Sequence, residues 1–203
     1  LQLKKHLQLL SKQAPNVVKE NEYNGKNGIF IGQTKHAKKN NVAADTLEED
    51  GYVFKNIGDD FLIQGGSEKG LIFGIYSLLE SFGFRKYAAD DPLDIPSTIN
   101  FELPNDITKI PKINYRTTNY YEGRDSEYAD WNKLSSRDSW GLFVHTFEVL
   151  VPPEKYGKSN PEYYSLIDGE RNVVTQLCLS NEEMFDVLVT DLRKRINENP
   201  KAK

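Results

Sequence analysis

Three histidines, one cysteine and the carboxylates between residues 122 and 130 are the side chains of this 203-residue sequence from which acid–base, nucleophilic or metal chemistry could be assembled. Their spacing excludes most of it. His6, His36 and His145 share no metal-ligand spacing, and no His-Glu-x-x-His helix occurs, so no metal is expected. His6 and His36 fall on expected surface helices and need no function. Cys178 lies in the apolar run 177–179, which reads as a buried strand cysteine rather than a nucleophile. The glycine-rich stretch 65–70 precedes a helical pattern, and helix N-termini bind phosphate. Ser67, however, stands where a dinucleotide motif needs its second glycine, and no Gly-Lys-Ser/Thr follows. That loop reads instead as a tight turn with close packing at Gly70 and Gly74.

His145 remains. It lies near the end of the β-prone run 142–147, with Trp140 just upstream. The C-terminal ends of strands form the active-site face of a parallel barrel, and an indole face packs well against the C–H face of a sugar. A satisfied core histidine and a core tryptophan are the competing readings. Tyr120, Tyr121 and Glu122 close the β-prone run from Asn114, and Arg124, Asp125, Glu127 and Asp130 follow. Glycosidic cleavage needs two carboxyls at a fixed separation, one with a raised pKa. A solvated acidic loop competes with that reading, and no catalytic pair is assigned. Asn181, after the run 177–179, either reaches the same face or serves only the first turn of the next helix.

The elements that must position these residues follow from periodicity. Leu3, Leu7 and Leu10 mark a helix over 1–13, ended by Pro15. Residues 29–31 read as a buried strand, and Thr34 caps a short helix that stops at Asn40. The runs 52–57 and 61–64 flank a Gly/Asp turn and make a hairpin. Leu71, Ile72, Ile75, Leu78, Leu79 and Phe82 form the apolar stripe of a helix, with Gly83 as its stop. From Pro92 prolines punctuate the chain, with a strand at 99–103. Three β-prone runs follow, at 114–121, 142–147 and 177–179, with Asp168-Gly169 as a tight turn between the last two. A helix with a Ser180/Glu183 capping box comes last. The division expected is an α/β accessory domain at 1–106, a linker at 107–112, and the opening of a parallel (β/α)8 barrel at 113–203.

Composition narrows the classes. Twenty-six Lys and Arg against 30 Asp and Glu leave a net charge of −4, which argues against nucleic-acid binding. The longest apolar run, Leu71 to Tyr76, is far too short to span a membrane. One cysteine excludes an intramolecular disulfide. An 11% aromatic content excludes a disordered chain despite a mean hydropathy of −0.62.

Two stretches resemble known families. Gly51-Tyr-Val-Phe-Lys, Phe61-Leu-Ile-Gln-Gly and the run from Gly70 to Glu80 are similar to the small α/β domain that precedes the barrel in family 20 hexosaminidases and family 67 alpha-glucuronidases. His145-Thr-Phe, Leu150-Val-Pro-Pro-Glu-Lys-Tyr, the run from Asn160 to Gly169 and Gln176-Leu-Cys-Leu-Ser-Asn resemble an uncharacterised bacterial family, domain of unknown function 4838. The resemblance implies a hexosaminidase-like α+β accessory domain followed by the first part of a (β/α)8 barrel. It implies a secreted, periplasmic or extracellular glycoside-hydrolase-like protein that takes oligo- or polysaccharides, and it implies no organic cofactor. A strand expected before the first helix is absent, and the barrel stops after three strands. By this resemblance the catalytic acid lies beyond Lys203, and the fragment alone is inactive. Arg116, Asn119, Tyr121, Trp140, His145 and Asn181 are the expected substrate-binding residues, Arg116 resembling in position the sugar-binding arginine of hexosaminidases. The alternative is a non-catalytic glycan-binding protein on a decayed barrel. An open barrel edge also predicts self-association.

Overall fold

The structure, a computed structural model, describes residues 2–10, 15–98, 101–135, 142 and 145–200. Two compact units divide the chain, residues 1–135 and 136–203.

In the first unit the hairpin lies at the centre. Strands β2 (Tyr52–Ile57) and β3 (Asp60–Gly65) pair antiparallel around the turn at Gly58, as the sequence predicts. Strand β1 (Ile29–Ile31) lies parallel to β3, with Ile29 opposite Phe61. A fourth strand, β4 (Ile107–Lys109), pairs antiparallel with β2 inside the segment expected to be a linker. The sheet order is β1-β3-β2-β4. β3 is buried on both faces, which explains its unbroken apolar run. Its alternation sorts the two cores. Phe61 and Ile63 join Phe54 against Ile75, Tyr76, Leu78 and Leu79 of the long helix, while Leu62 joins Phe30 and Ala37 on the other face.

Four helices belong to this unit: α1 (Gln2–Leu10), α2 (Lys35–Lys39), α3 (Glu68–Ser81) and α4 (Ser126–Trp131). Thr34 caps α2 and Ser67 caps α3, each side chain accepting backbone N–H groups that the helix leaves unpaired. Leu3 of α1 and Trp131 of α4 complete the α3 core.

The second unit is built differently from expectation. α5 (Phe147–Leu150), α6 (Pro153–Tyr156) and α7 (Glu182–Glu198) surround a two-stranded antiparallel hairpin, β5 (Leu166–Ile167) and β6 (Glu170–Arg171). Asp168 and Gly169 both take positive φ in its turn, the conformation a two-residue hairpin requires. Leu150, Val151, Tyr163, Tyr164, Leu177, Met184 and Leu188 form its core.

The three β-prone runs do not form a parallel ladder among the described residues. Residues 114–121 are irregular up to a 3-10 turn at Tyr121–Arg124. Residues 143–144, and residues 99–100 of the strand expected at 99–103, lie outside the described residues, while 101–103 are irregular and Phe147 opens a helix. Leu177 makes one antiparallel bridge, to Tyr164. The overall class is therefore mixed α/β, with a small mixed sheet and several helices.

Candidate functional site

Arg116 is the best-anchored of the expected site residues. Its Nη2 pairs with Asp50 Oδ2 at 2.8 Å, its Nε donates to the Lys133 carbonyl at 2.8 Å, and its Nη1 donates to the Ile113 carbonyl at 2.6 Å. The guanidinium also lies 5.8 Å from the Phe73 ring centre. Its backbone is tied as well: Arg116 N–H donates to Ser135 Oγ, and Ser135 N–H donates back to the Arg116 carbonyl. These bonds replace the strand ladder expected at 114–121 and draw the segment onto the first unit. Arg116 thus holds the loop in place.

That loop presents rings. Tyr121 is 72% exposed, and the Arg124 guanidinium sits 5.3 Å from its ring centre. Tyr120 and Tyr115 are also exposed, and the Tyr120 ring meets Tyr128 edge-on at 6.2 Å. Partial burial, then Glu122 and Asp90, push the Tyr120 hydroxyl up from its ordinary pKa. Asn119 is exposed beside them. Flat rings with an amide and a guanidinium alongside are what a sugar face and its hydroxyls require.

The acidic residues of the loop separate by role. Asp125 caps α4, its Oδ1 accepting the Tyr128 N–H at 2.7 Å. Glu127 turns to α1, 3.5 Å from Lys5 Nζ and 3.7 Å from His6 Nε2. Asp130 is partly buried, and burial raises its carboxyl above the usual range while Lys69 draws it back. A carboxyl held towards its protonated form is the kind a general acid needs, but no second carboxyl is paired with it here.

In the second unit, Asn181 is the N-cap of α7: its Oδ1 accepts the Met184 N–H at 2.9 Å. The N-cap is therefore Asn181 rather than the expected Ser180, and the expected Ser180/Glu183 box does not form because N3 is then Met184; Ser180 Oγ lies 3.5 Å from Cys178 Sγ instead. His145 is exposed with φ at +53°, a left-handed turn ahead of α5, so it does not sit in a core, while residues 143–144 before it lie outside the described residues. Trp140 lies outside the described residues. Cys178 is half-exposed, not buried. The Ser180 hydroxyl lowers its thiol pKa against the opposing effect of burial, and Arg171 adds to the lowering.

The glycine loop leaves no room for a phosphate. Ser67 Oγ occupies the N-terminus of α3, accepting from Lys69 and Gly70 N–H and donating to the Glu49 carbonyl at 2.6 Å. A Cβ on Gly66 would stand 1.6 Å from the Glu48 carbonyl oxygen, and one on Gly70 2.3 Å from that of Gly51. Close packing is the role of these glycines, as the sequence suggests.

Two histidines expected on surfaces are not there. His6 is 1% exposed, its ring edge-on to Tyr76, Phe84 and Trp131 at 5.7–6.1 Å. Its Nδ1 lies 2.8 Å from the Gln2 carbonyl. The signal was present: residue 6 lies three after Leu3 and one before Leu7, on the face that docks. His36 stacks on Phe30 at 4.2 Å and places Nε2 4.0 Å from Asp60.

Among the described residues no three His, Cys, Asp or Glu side chains gather as a metal site, and no helix is long and apolar enough to cross a membrane. Residues 87–203, more than half of the chain, match the family described as a domain of unknown function (DUF4838). The chain belongs to the DUF4838 family. No curated protein and no solved structure matched it. The DUF4838 segment starts just after Arg85, whose backbone bridges to Asp94, and includes β4, the Arg116 loop and all of the second unit. The similarity of residues 51–86 to hexosaminidase and glucuronidase accessory domains drew no match.

Proposed function

We propose that this DUF4838 chain is part of a secreted, periplasmic or extracellular protein that handles oligo- or polysaccharides, and that the whole protein hydrolyses glycosidic bonds. The observation that carries this reading is the exposed aromatic turn from Tyr115 to Arg124, where Tyr121 lies open under Arg124 with Asn119 and Glu122 beside it. The sequence resemblance to hexosaminidase-like proteins supports it from a second side. In this reading residues 1–106 are a hexosaminidase-like accessory domain and residues 113–203 contribute to a (β/α)8 barrel in the whole protein. It requires the runs at 114–121 and 142–147 to find strand partners there. Arg116 then acts by holding the aromatic turn of the first unit; in the second unit Asn181 holds the start of α7, and His145, exposed before α5, is free to offer its imidazole to a ligand of that unit.

A second reading is favoured by the carboxylates. Among the described residues Asp125 and Glu127 are committed to structure and no second acid is paired with Asp130, a pattern that a glycan-binding protein without cleavage would share.

One experiment separates the two: the whole protein assayed on a panel of aryl glycosides and polysaccharides. Turnover of at least one supports hydrolysis. Measurable binding without turnover supports the glycan binder. Neither binding nor turnover on any member removes the carbohydrate reading.

A further inference from the structure

Helix α7 carries a second apolar stripe beside the one it buries. Met184 and Leu188 face the core of the second unit. Phe185, Val189, Leu192 and Ile196 recur at spacings of four, three and four residues, the alternation of a coiled-coil seam. Phe185 is 51% exposed and Ile196 47%, while Val189 and Leu192 are half-buried at the edge of the core. Glu182, Glu183 and Asp186 lie in the first half of this helix, while the second holds Arg193, Lys194 and Arg195 together with Asp191 and Glu198, and Lys194 lies 3.9 Å from Glu198. Arg195 is engaged with Asp191 at 2.7 Å, while Asp186 and Arg193 are exposed on the solvent side of the stripe.

We infer that α7 is a self-association surface that pairs antiparallel with α7 of a second copy of this chain. The pattern is complementary to itself under a two-fold axis. Antiparallel alignment sets Phe185 beside the partner's Ile196 and Val189 beside the partner's Leu192, so the four apolar residues close over one another. The same alignment brings the flanking Asp186 towards the partner's Arg193, twice by symmetry. A parallel pair would set Asp186 level with the partner's Asp186, about 10 Å along the axis from the partner's Arg193. Apolar burial drives the contact, and the flanking charges set its direction. This inference is independent of the carbohydrate reading.

The test is sedimentation velocity of the chain over a concentration series, with charge variants. The chain forms a reversible dimer. Asp186→Arg and Arg193→Asp each weaken it by about ten-fold, since each change places like charges together at two symmetric contacts. The double variant Asp186→Arg/Arg193→Asp restores the dimer, and Phe185→Glu abolishes it. The three residues changed are exposed, so the circular dichroism spectrum and thermal midpoint stay those of the parent and report that the variants fold. A parent chain that is monomeric at every concentration overturns the inference, and means that the stripe is covered by something other than a second copy. A dimer indifferent to Phe185→Glu, or a double variant no better than the singles, overturns it equally.

Discussion

Arg116 and Asp50 form an ion pair of which little reaches solvent, and Arg116 also binds the carbonyls of Ile113 and Lys133. Removing one partner of such a pair strands the other charge, which costs more than the pair itself contributes. Arg116→Ala therefore destabilises the first unit by about 3 kcal/mol in denaturant unfolding, and adding Asp50→Asn recovers part of that loss. Asp130 behaves in the opposite sense. Its folded pKa lies above the ordinary 3.8, so the folded state binds the proton more tightly than the unfolded chain does. Stability from this group falls as pH rises through that window, and the ionised carboxylate is a liability at neutral pH. Asp130→Asn stabilises the protein at pH 7 by less than about 1 kcal/mol, since the group is partly solvated, and makes no difference well below pH 3.8. Thermal melts at the two pH values check both halves. Gly66 is the residue with least freedom: a Cβ there meets the Glu48 carbonyl at 1.6 Å. Gly66→Ala costs more than about 3 kcal/mol and appears as a large drop in the unfolding midpoint.

Strand β4 shows how an element arises where local pattern is silent. Its three residues, Ile107–Lys109, lie in a proline-rich stretch with no period of their own. What fixes the strand is Asp106. Its Oδ1 accepts the Asn56 N–H at 2.7 Å, and its Oδ2 meets Lys55 Nζ at 2.7 Å, so the strand begins already clamped to β2. These partners, led by the Asn56 backbone N–H, lower the Asp106 carboxyl to about 2. The folded pKa is below 3.8, so the clamp is complete above that value and is lost as pH falls towards about 2. The exchange protection of the β4 amides that face β2, corrected for the intrinsic pH dependence of exchange, falls across that range, and Asp106→Asn leaves them weakly protected throughout. Helix α1 follows the same logic. Its leucine pattern is local, but its docking depends on His6 entering the box formed by Tyr76, Phe84 and Trp131, three residues far apart in sequence.

Over the whole molecule, legibility follows the range of the interaction that decides each element. β1, α2, the β2–β3 hairpin, α3 and the span of α7 are readable because period, cap and turn chemistry lie within a few residues. The run 114–121 is β-prone by composition, yet Arg116 and Ser135 satisfy its backbone and no ladder forms. The three expected barrel strands share this fate among the described residues, because strand-forming residues specify an extended backbone and not the partner it needs. The candidate site divides in the same way. Tyr121, expected from residue type, is exposed, while Arg116 and Asn181 are polar residues whose donors and acceptors are largely committed to the fold. In the proposed carbohydrate reading, the contribution of the chain therefore rests on the aromatic turn. Affinity electrophoresis of the chain through gels containing a panel of polysaccharides, beside Tyr121→Ala, tests it most directly. Tyr121 is largely exposed, so the variant folds as the parent does. The account predicts retardation by at least one polysaccharide and its loss in Tyr121→Ala. Free migration through every gel, or retardation equal for parent and variant, would contradict it.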